Sequence, residues 1–552
     1  MEEAKITPMI RQYLRIKERY RDAILFFRLG DFYEMFFEDA EKASRILDIA
    51  LTSRNRSDDT AVPLCGVPYH AATPYIGKLL DAGCKVAICE QVEDPKLAKG
   101  VVQREVVRVV TPGTVTDGEA LDASDNSFLV AIASGKRGYG LALADVTTGE
   151  FRFARLADTA ALWDEIARIR PREALFAATD EKLAEQLEKD FPAVHRSPVS
   201  ALAFSEAARG RLKRLGLWLG EVDDEWEQGV AAAGALVTFL EDNSPASLKA
   251  LQSLQPYSTS QYLVLDEASR RNLELIADFQ GNRKNSLLGL LDETLTPMGA
   301  RRLKQWLLYP LLDPSAIAER QEGIEELVED FAGRRDLRDA LKGVQDLERL
   351  AARVAAGSAQ PRDVVAVKQS LSALKPIKAL LAPRRAAVFA KLGRELFDLP
   401  ELVELVGRAI VDDAPRAVSE GECIRGGFSA ELDELRSVKK NAKDWIARFE
   451  SDERKRSGIQ SLKVRYNRIF GYYIEITRAN LKSVPQDYIR KQTLVNGERY
   501  ITAELKEYET KVLNSEEEIE KLELSLFAEV CGKIAAYYGQ MKQSSDGCAS
   551  LD

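Results

Sequence analysis

Hydrophobic and polar positions follow strand-type and helix-type patterns in the first part of the chain, and almost only the helical pattern after about residue 256. Before that point, AILFFRL, KVAICEQ and VVQREVVRVV are apolar, β-type runs. Apolar residues at helical spacing predict an amphipathic helix over 8–19, and further helices are predicted over 39–51 and 73–82. Because strands and helices mix, the first segment is predicted to be a mixed α/β domain, residues 1–117.

A polar stretch, TDGEALDASDNS, separates a second α/β segment, residues 123–248. The runs SFLVAIA, YGLALADVTTGEFRFAR and EALFA predict strands with a hairpin turn near Gly149, and a helix is predicted over 158–169. Since strands alternate with helices, we expect a doubly wound α/β domain that extends to about residue 245.

From about Pro256 onward the pattern is almost wholly helical. Residues 287–308 and 314–328 have apolar positions that recur every 3.6 residues, and prolines punctuate the helix starts and stops. We therefore predict the first part of an all-α domain over 256–424.

Two long amphipathic helices follow, and a β-rich insert lies between them. The insert contains SLKVRYN, GYYIEITR and TLVNGERYIT, and its Asn496-Gly497 pair is a strong hairpin signal. We predict a small sheet at the tip of two helical arms, residues 425–512, and a helix that returns to the all-α domain over 513–552. The apolar positions that define the arms are Phe428, Leu432, Leu435, Val438, Ala442, Trp445 and Phe449, then Leu505, Tyr508, Val512, Ile519, Leu522 and Leu526.

Composition places the chain among ordinary soluble globular proteins. It has 552 residues, of which 45% are hydrophobic and 30% are charged, which excludes collagen-like and disordered classes. We find neither a membrane-spanning run nor a signal peptide, so we expect a cytoplasmic protein that does not contact membranes. The six cysteines form no CxxC pair and are expected to be free thiols.

The formal net charge of −9 argues against nucleic acid as a partner, but the charge is unevenly distributed. Residues 435–500 contain 16 Lys/Arg against 7 Asp/Glu, so a basic segment sits on an acidic body. Lys463 and Arg465 alternate along one predicted strand and share a face. This surface is either a solvated one or a contact for DNA phosphates, and the charge asymmetry favours phosphates. The basic positions are Arg454, Lys455, Arg456, Lys463, Arg465, Arg468, Lys482, Arg490, Lys491 and Arg499.

The string GDFYEMFF admits two interpretations. Aromatic residues are usually buried, so these side chains could form part of a core. Alternatively, Phe32 is an exposed wedge that stacks on a base, with the carboxylate of Glu34 placed to meet a base edge.

Asp31, Glu34 and Asp145 could instead be metal ligands of a nuclease. A two-metal site needs several convergent carboxylates, and no such set can be assembled from the sequence. The strings GxxxxGK[ST], GxSxG and HExxH are absent, and only two histidines occur. We therefore predict no catalytic and no metal-binding residues.

Several strings together resemble the MutS family of bacterial DNA mismatch-recognition proteins. They occur in the family's order over residues 6–525: FFRLGDFYEMFFEDA, LTSRN, PLCGVPYHA, VAICEQVEDP, VVRVVTPGTV, TLTPMGARRLKQWLLYPL, GYYIEIT and YIRKQTLVNGERYITAELKEYE. The resemblance implies a mismatch-binding domain, an RNase H-like connector without nuclease activity, an all-α lever and an inserted small-sheet clamp.

The same resemblance implies roles for particular residues and partners. Phe32 would wedge beside a mispaired base and Glu34 would hydrogen-bond that base. The expected partners are duplex DNA with mismatches or small loops and a MutL-type repair protein. The complete family members act as homodimers, but normal dimerisation is not expected of these 552 residues alone. A MutS-like protein of the recombination type, which binds junctions, is an alternative that the Phe32-Tyr33-Glu34 string argues against. The resemblance implies contacts to the DNA backbone from Arg490, Lys491, Asn496 and Arg499, and the charge pattern adds Lys463 and Arg465 to the expected contacts.

Family members continue into an ATPase domain with a P-loop, whereas this chain ends at SSDGCASLD. We therefore expect the chain to be a truncated form without enzymatic activity of its own. ATP and Mg²⁺ are expected only in the domain that would follow, and no cofactor is expected in these residues.

Overall fold

The computed structural model describes most of the chain. The described residues are 7–54, 62–93, 100–116, 122–136, 138–205, 207–218, 220, 224–467, 471–494 and 496–552. They divide into two compact units. Unit 1 comprises Met1–Ala359, Gln369–Pro400 and Ile534–Asp552, and unit 2 comprises Gln360–Lys368 and Glu401–Lys533.

The first sheet of unit 1 has six strands in the order β3-β4-β2-β1-β5-β6. Strands β1 and β5 pair in parallel, and the other neighbours are antiparallel. Helices α1 to α3 accompany this sheet. The bounds are α1 Pro8–Arg19, β1 Ala23–Leu29, β2 Phe32–Phe36, α2 Phe37–Leu47, β3 Thr52–Arg54, β4 Val62–Pro68, α3 Ala72–Asp81, β5 Lys85–Gln91 and β6 Arg104–Val110.

Local chemistry explains where these helices begin and end. The Thr7 hydroxyl accepts a hydrogen bond from the Ile10 amide at the start of α1, and Pro8 occupies the first turn. The helix predicted over 8–19 is therefore confirmed. The prediction of a helix over 39–51 is wrong at both ends, because α2 begins at Phe37 and stops where Asp48 turns left-handed (φ 54°).

The second sheet of unit 1 also has six strands, in the order β11-β10-β7-β8-β9-β12. Strands β7, β8 and β9 form an antiparallel meander, while β10 and β11 run parallel to β7. Apolar clusters cover both faces, with α7 on one face and α4 and α5 on the other. The bounds are β7 Leu129–Gly135, β8 Gly138–Asp145, β9 Glu150–Leu156, α4 Thr159–Ile169, β10 Glu173–Ala177, α5 Glu181–Asp190, β11 His195–Val199, α6 Ala207–Arg214, α7 Glu227–Asn243 and β12 Gln255–Pro256.

The rest of unit 1 is helical. The periodic run over 287–308 is two helices, and the second begins at one of the prolines that punctuate the pattern: Thr296 caps it by accepting from the Gly299 amide, and Pro297 opens it. Helices α14 and α18 contribute residues to both units. The bounds are α8 Glu267–Asn272, α9 Leu287–Leu291, α10 Pro297–Leu308, α11 Pro314–Glu329, α12 Phe331–Leu341, α13 Leu347–Ala356, α14 Pro361–Leu381, α15 Ala387–Glu395 and α19 Tyr538–Leu551.

Unit 2 contains two long helices and a four-stranded antiparallel sheet, in the order β13-β14-β16-β15. The predicted sheet insert is confirmed, and β15 and β16 form the predicted hairpin. Gly497 pairs with Leu494 and is the first residue of β16, so the prediction that Gly497 is a turn residue is wrong. The Trp445 ring stacks on Tyr508 with centroids 3.6 Å apart and planes 7° apart, which ties the two helices together beside the sheet. The bounds are α16 Pro400–Ala409, α17 Ala430–Ser457, β13 Lys463–Asn467, β14 Gly471–Thr477, β15 Ile489–Leu494, β16 Gly497–Ile501 and α18 Ala503–Ala535.

The six cysteines are free thiols, as predicted, and all six are buried. Among the described residues, no helix is long and apolar enough to cross a membrane.

Candidate nucleic-acid interface

A tight hairpin joins β1 and β2, the two central strands of the first sheet. Leu29 pairs with Phe32, so only Gly30 and Asp31 lie in the loop. Gly30 has a φ of +57°, the left-handed region that a two-residue hairpin turn requires at its first position. The hairpin therefore places Phe32 directly beside the turn.

Phe32 is the exposed member of the aromatic string. Its side chain is 46% exposed, whereas Tyr33 is 7% exposed and Phe36 is fully buried. Successive residues of a strand point to opposite faces, and the buried aromatic rings pack into two separate apolar clusters of the sheet. Of the two interpretations of GDFYEMFF, the core interpretation applies to Tyr33 and Phe36, and the exposed-wedge geometry applies to Phe32.

Glu34 is half-buried on β2, opposite Gly66 on β4. A Cβ atom at Gly66 would lie 3.2 Å from the Tyr33 carbonyl oxygen and 3.5 Å from Glu34 Cγ. Because glycine has no side chain, Gly66 leaves space for the Glu34 side chain. Phe32 and Glu34 are two positions apart on one strand, so both point to the same face.

The sequence prediction missed two residues that pack against this hairpin. The guanidinium of Arg28 lies over the Tyr69 ring, with Cζ 3.4 Å from the ring centroid, and Arg28 Nε donates to the Gly30 carbonyl at 2.6 Å. Tyr69 is 38% exposed, and its amide donates to the Asp31 carbonyl at 3.0 Å. Tyr69 lies in PLCGVPYHA, one of the strings that resemble the MutS family. Only the pairing of Phe32 with Pro68 shows that this segment adjoins Phe32.

Polar side chains next to the hairpin connect β1 and β2 to β5. The Tyr33 hydroxyl donates to Glu90, whose carboxylate lies 3.6 Å from Arg28. Burial and the neighbouring Glu90 carboxylate raise the pKa of Tyr33, so it is the neutral donor of this pair.

The candidate phosphate contacts in unit 2 do not share one face of its sheet. Lys463 and Arg465 on β13 are exposed and lie opposite Glu475 and Tyr473 on β14. Neither basic side chain makes an ion pair or hydrogen bond within the described part of the chain. Both are therefore available to an external anion.

Arg499 lies on the same face but is held by the protein itself. Its Nη1 donates to Gln492 Oε1 at 2.8 Å, its Nε lies 3.9 Å from Glu475, and its Cζ lies 4.4 Å from the centroid of the Tyr473 ring. Only 19% of the side chain is exposed. Arg499 therefore holds the neighbouring side chains of this face together and presents little of its own charge to solvent.

The remaining predicted contacts cluster at the edge strand. Arg490 lies opposite Tyr500, whose ring belongs to the apolar core, and its guanidinium is 3.5 Å from Glu498. The register shifts at Lys491, which leaves that residue exposed outside the regular alternation. Asn496 is exposed in the hairpin turn.

Basic residues at the end of α17 pair with acids of their own unit. Arg454 donates to Glu450 at 2.6 Å, and Arg456 donates to Glu453 and Asp487 at 2.9 Å each. These hydrogen bonds raise the pKa of the Arg456 guanidinium. Lys455 lies 3.4 Å from Asp452, Lys482 is exposed, and Arg468 lies outside the described residues.

The carboxylates proposed for a nuclease do not form a metal site. Asp145 is the last residue of β8 and is fully buried. Its oxygens accept from Asn126 Nδ2, the Ser127 amide and both the amide and hydroxyl of Thr147. No group of three or more His, Cys, Asp or Glu suited to a metal occurs in the described residues. Asp145 shapes the β8–β9 turn, and the nuclease alternative has no support.

Comparison with known proteins identifies the family over almost the whole chain. Residues 7–119 match MutS domain I, residues 127–252 match MutS domain II, and residues 268–552 match MutS domain III. The chain belongs to the MutS family. The mixed α/β domains and helical regions described above are consistent with these three MutS domains.

Curated relatives named "DNA mismatch repair protein MutS" cover the same residues. The chain is 46% identical to the relative from Symbiobacterium thermophilum and 43% identical to that from Acetivibrio thermocellus, in each case over 100% of this chain and 64% of the relative. It is 45% identical to the relative from Syntrophobacter fumaroxidans over 99% of this chain and 62% of the relative. The chain thus spans slightly less than two thirds of these MutS proteins.

Proposed function

We propose that this chain recognises mispaired or looped-out bases in duplex DNA. The observation that carries the proposal is the first-sheet hairpin, which exposes Phe32 at its tip while the neighbouring aromatic rings are buried. Glu34 lies on the same face, two residues further along β2. An apolar wedge with an adjacent acceptor is suited to entering a base step and bonding to a base edge.

Discrimination would arise from the cost of deforming the DNA. Inserting Phe32 requires a base step to unstack and the duplex to bend, at a cost of a few kcal/mol for a normal step. A mispaired step is already poorly stacked, so the same insertion costs less there. The Glu34 carboxylate adds an acceptor for a base proton and repels phosphates that approach without such a bond.

The sheet of unit 2 would supply affinity that does not depend on sequence. Lys463 and Arg465 offer free cationic side chains on one face, and Arg490, Lys491 and Asn496 extend along the edge strand and turn. Such groups bind phosphates and release counterions, so binding weakens as salt rises. In this proposal the unit 2 sheet is a clamp, the second sheet of unit 1 is an RNase H-like connector, and the helical regions form a lever.

The proposal extends to partners and to nucleotide use. We propose that the chain acts within a homodimer on DNA and works with a MutL-type repair protein. Residues 1–552 contain no GxxxxGK[ST] string, so we propose that they bind DNA without hydrolysing ATP. A nucleotide hydrolysis assay on the chain, with and without a G·T duplex, tests the last point.

Fluorescence anisotropy with a G·T duplex and its G·C counterpart tests the central proposal. The parent chain is expected to bind the G·T duplex more tightly, and Phe32→Ala is expected to reduce that preference by about tenfold or more, since an unstacking cost of a few kcal/mol depends on the ring. Phe279→Ala is the matched control, because Phe279 is a similarly exposed phenylalanine of the helical region.

Equal affinity of the parent chain for the two duplexes would contradict the proposal. A preference that survives Phe32→Ala would remove the wedge role while leaving mismatch binding in place.

A further inference from the structure

We propose that Arg28 is a positioning residue that holds the Gly30-Asp31 loop and thereby presents Phe32 to DNA. This inference rests on the proposed function, because it concerns how the wedge is oriented. Arg28 is not expected to touch DNA itself, since only 18% of its side chain is exposed.

The Arg28 side chain contacts three parts of the domain at once. Its Nε donates to the Gly30 carbonyl in the loop at 2.6 Å. The Arg28 guanidinium lies over the Tyr69 ring, and its Nη1 is 3.6 Å from the Glu90 carboxylate on β5. The loop that precedes Phe32 is thus connected to β5 and to the segment after β4 through one guanidinium.

Tyr69 closes the other side of the loop. Its amide donates to the Asp31 carbonyl at 3.0 Å, and its ring is held against the Arg28 guanidinium. Both loop residues therefore have their carbonyl oxygens bound, Gly30 by Arg28 and Asp31 by Tyr69. A glycine in a two-residue loop has wide conformational freedom, so these two bonds restrict it.

Restricting the loop before binding favours wedge insertion. A phenylalanine on a mobile loop loses conformational entropy when it enters a base step, and this loss reduces the affinity for the mismatch. A loop that is already ordered avoids most of that loss. Arg28 therefore acts on discrimination through Phe32, and not through its own charge.

The arrangement requires arginine and not simply a cation. A guanidinium can donate through Nε to Gly30 while its flat face covers the Tyr69 ring. The lysine ammonium is a compact point charge without a planar face, so it cannot make both contacts in this geometry. The Arg28→Lys substitution keeps the positive charge beside Glu90. It removes the pairing of two contacts, the guanidinium stacked on Tyr69 and the Nε hydrogen bond to the Gly30 carbonyl.

The test uses the full chain and the variants Arg28→Lys, Tyr69→Phe and Arg45→Lys. Hydrogen–deuterium exchange of peptides covering residues 28–36 and 64–72 reports on the loop without DNA, and anisotropy reports on the G·T to G·C preference. Arg28→Lys is expected to speed exchange in both peptides and to lower the preference about fivefold, the change expected when one hydrogen bond is removed. Tyr69→Phe keeps the ring and the amide and is expected to behave as the parent chain. Arg45→Lys, at a highly exposed position on α2, controls for the substitution itself.

Each outcome decides the inference. Unchanged exchange in Arg28→Lys would overturn it, and so would faster exchange with an unchanged G·T to G·C preference in a parent that discriminates. If the parent does not discriminate, the proposed function fails instead, and the exchange of the two peptides alone decides whether Arg28 orders the loop.

Discussion

The carboxylate of Glu173, at the start of β10, accepts a hydrogen bond from the hydroxyl of Thr111, which lies just after β6. The same carboxylate accepts from the Gly113 amide at 2.9 Å and from the Ser197 hydroxyl at 2.5 Å, and Glu173 is fully buried. One side chain of the second sheet thus accepts from the Thr111 and Gly113 donors that follow the first sheet, and from the Ser197 hydroxyl of the neighbouring strand β11. The contact couples the domain that carries Phe32 to the domain beside it.

Removing this carboxylate is expected to destabilise unit 1. Glu173→Ala leaves the buried donors of Thr111, Gly113 and Ser197 without their acceptor, and each buried unpaired group costs about 1–3 kcal/mol. We expect a loss of at least about 2 kcal/mol, measured as a lower urea midpoint by circular dichroism. Glu185→Ala on the exposed face of α5 is the control and should leave the midpoint unchanged. A parent-like midpoint for Glu173→Ala would show that the junction adds no stability.

A side chain at Gly66 is expected to disturb recognition without unfolding the sheet. The Cβ of Gly66→Val would lie 3.2 Å from the Tyr33 carbonyl oxygen, which is a tight approach, and 3.5 Å from Glu34 Cγ, which is an ordinary contact. The two methyl groups of valine extend beyond this Cβ into the space beside Glu34, so we expect the Glu34 side chain to shift. Losing the Glu34 bond to a base should lower the G·T to G·C preference about fivefold. Anisotropy measures this change, and Val62→Ala, which removes a half-buried side chain at the other end of β4, is the comparison. An unaltered preference in Gly66→Val would argue against a base contact by Glu34.

Much of the architecture follows from local patterns in the sequence. The helix over 8–19, the two long helical arms and the β15–β16 hairpin were predictable because periodicity and turn chemistry act over a few residues. Ends and breaks were less predictable. Pro297 indicated a helix boundary, but the pattern did not show that Thr296 caps the new helix, and a left-handed Asp48 stops α2 before the apolar pattern ends.

The candidate interface could be predicted only in part, since exposure depends on contacts between distant segments. The string GDFYEMFF does not show which aromatic ring is exposed to solvent, and in the folded sheet it is Phe32, beside the hairpin turn, while Tyr33 and Phe36 are buried. Arg28 and Tyr69 come together only when β2 pairs with both β1 and β4. In unit 2, the register shift at Lys491 separates Arg490 from the face that carries Lys463, which simple alternation cannot reveal.

Neutralising the free basic face of β13 is expected to weaken DNA binding regardless of pairing. The double variant Lys463→Gln/Arg465→Gln should reduce affinity for G·T and G·C duplexes by the same factor. The slope of log K against log salt should become shallower by about 0.9 for each phosphate that the variant no longer binds. Titrations at several salt concentrations measure both quantities.

The control for that variant is Lys521→Gln, which removes one positive charge from an exposed position on α18. It should leave the salt slope unchanged, because long-range effects of exposed charges are screened within about 10 Å at 0.1 M salt. A slope that is the same in the parent chain and in the double variant would exclude phosphate contacts by this face.

Asp412 is expected to make the stability of unit 2 sensitive to acid. Its carboxylate accepts from Lys368 Nζ at 2.5 Å and from Arg425 Nη2 at 2.8 Å, and these bonds lower its pKa to about 2. A carboxyl group whose pKa is lower in the folded state stabilises the fold at neutral pH, and this contribution disappears as the pH falls from about 4 towards 2. Asp412→Asn should therefore be less stable than the parent chain at pH 7, and the difference in urea midpoint should shrink at pH 3. Asp413→Asn, at the exposed neighbouring position, is the control, and a difference that persists unchanged at pH 2 would contradict the ionic origin.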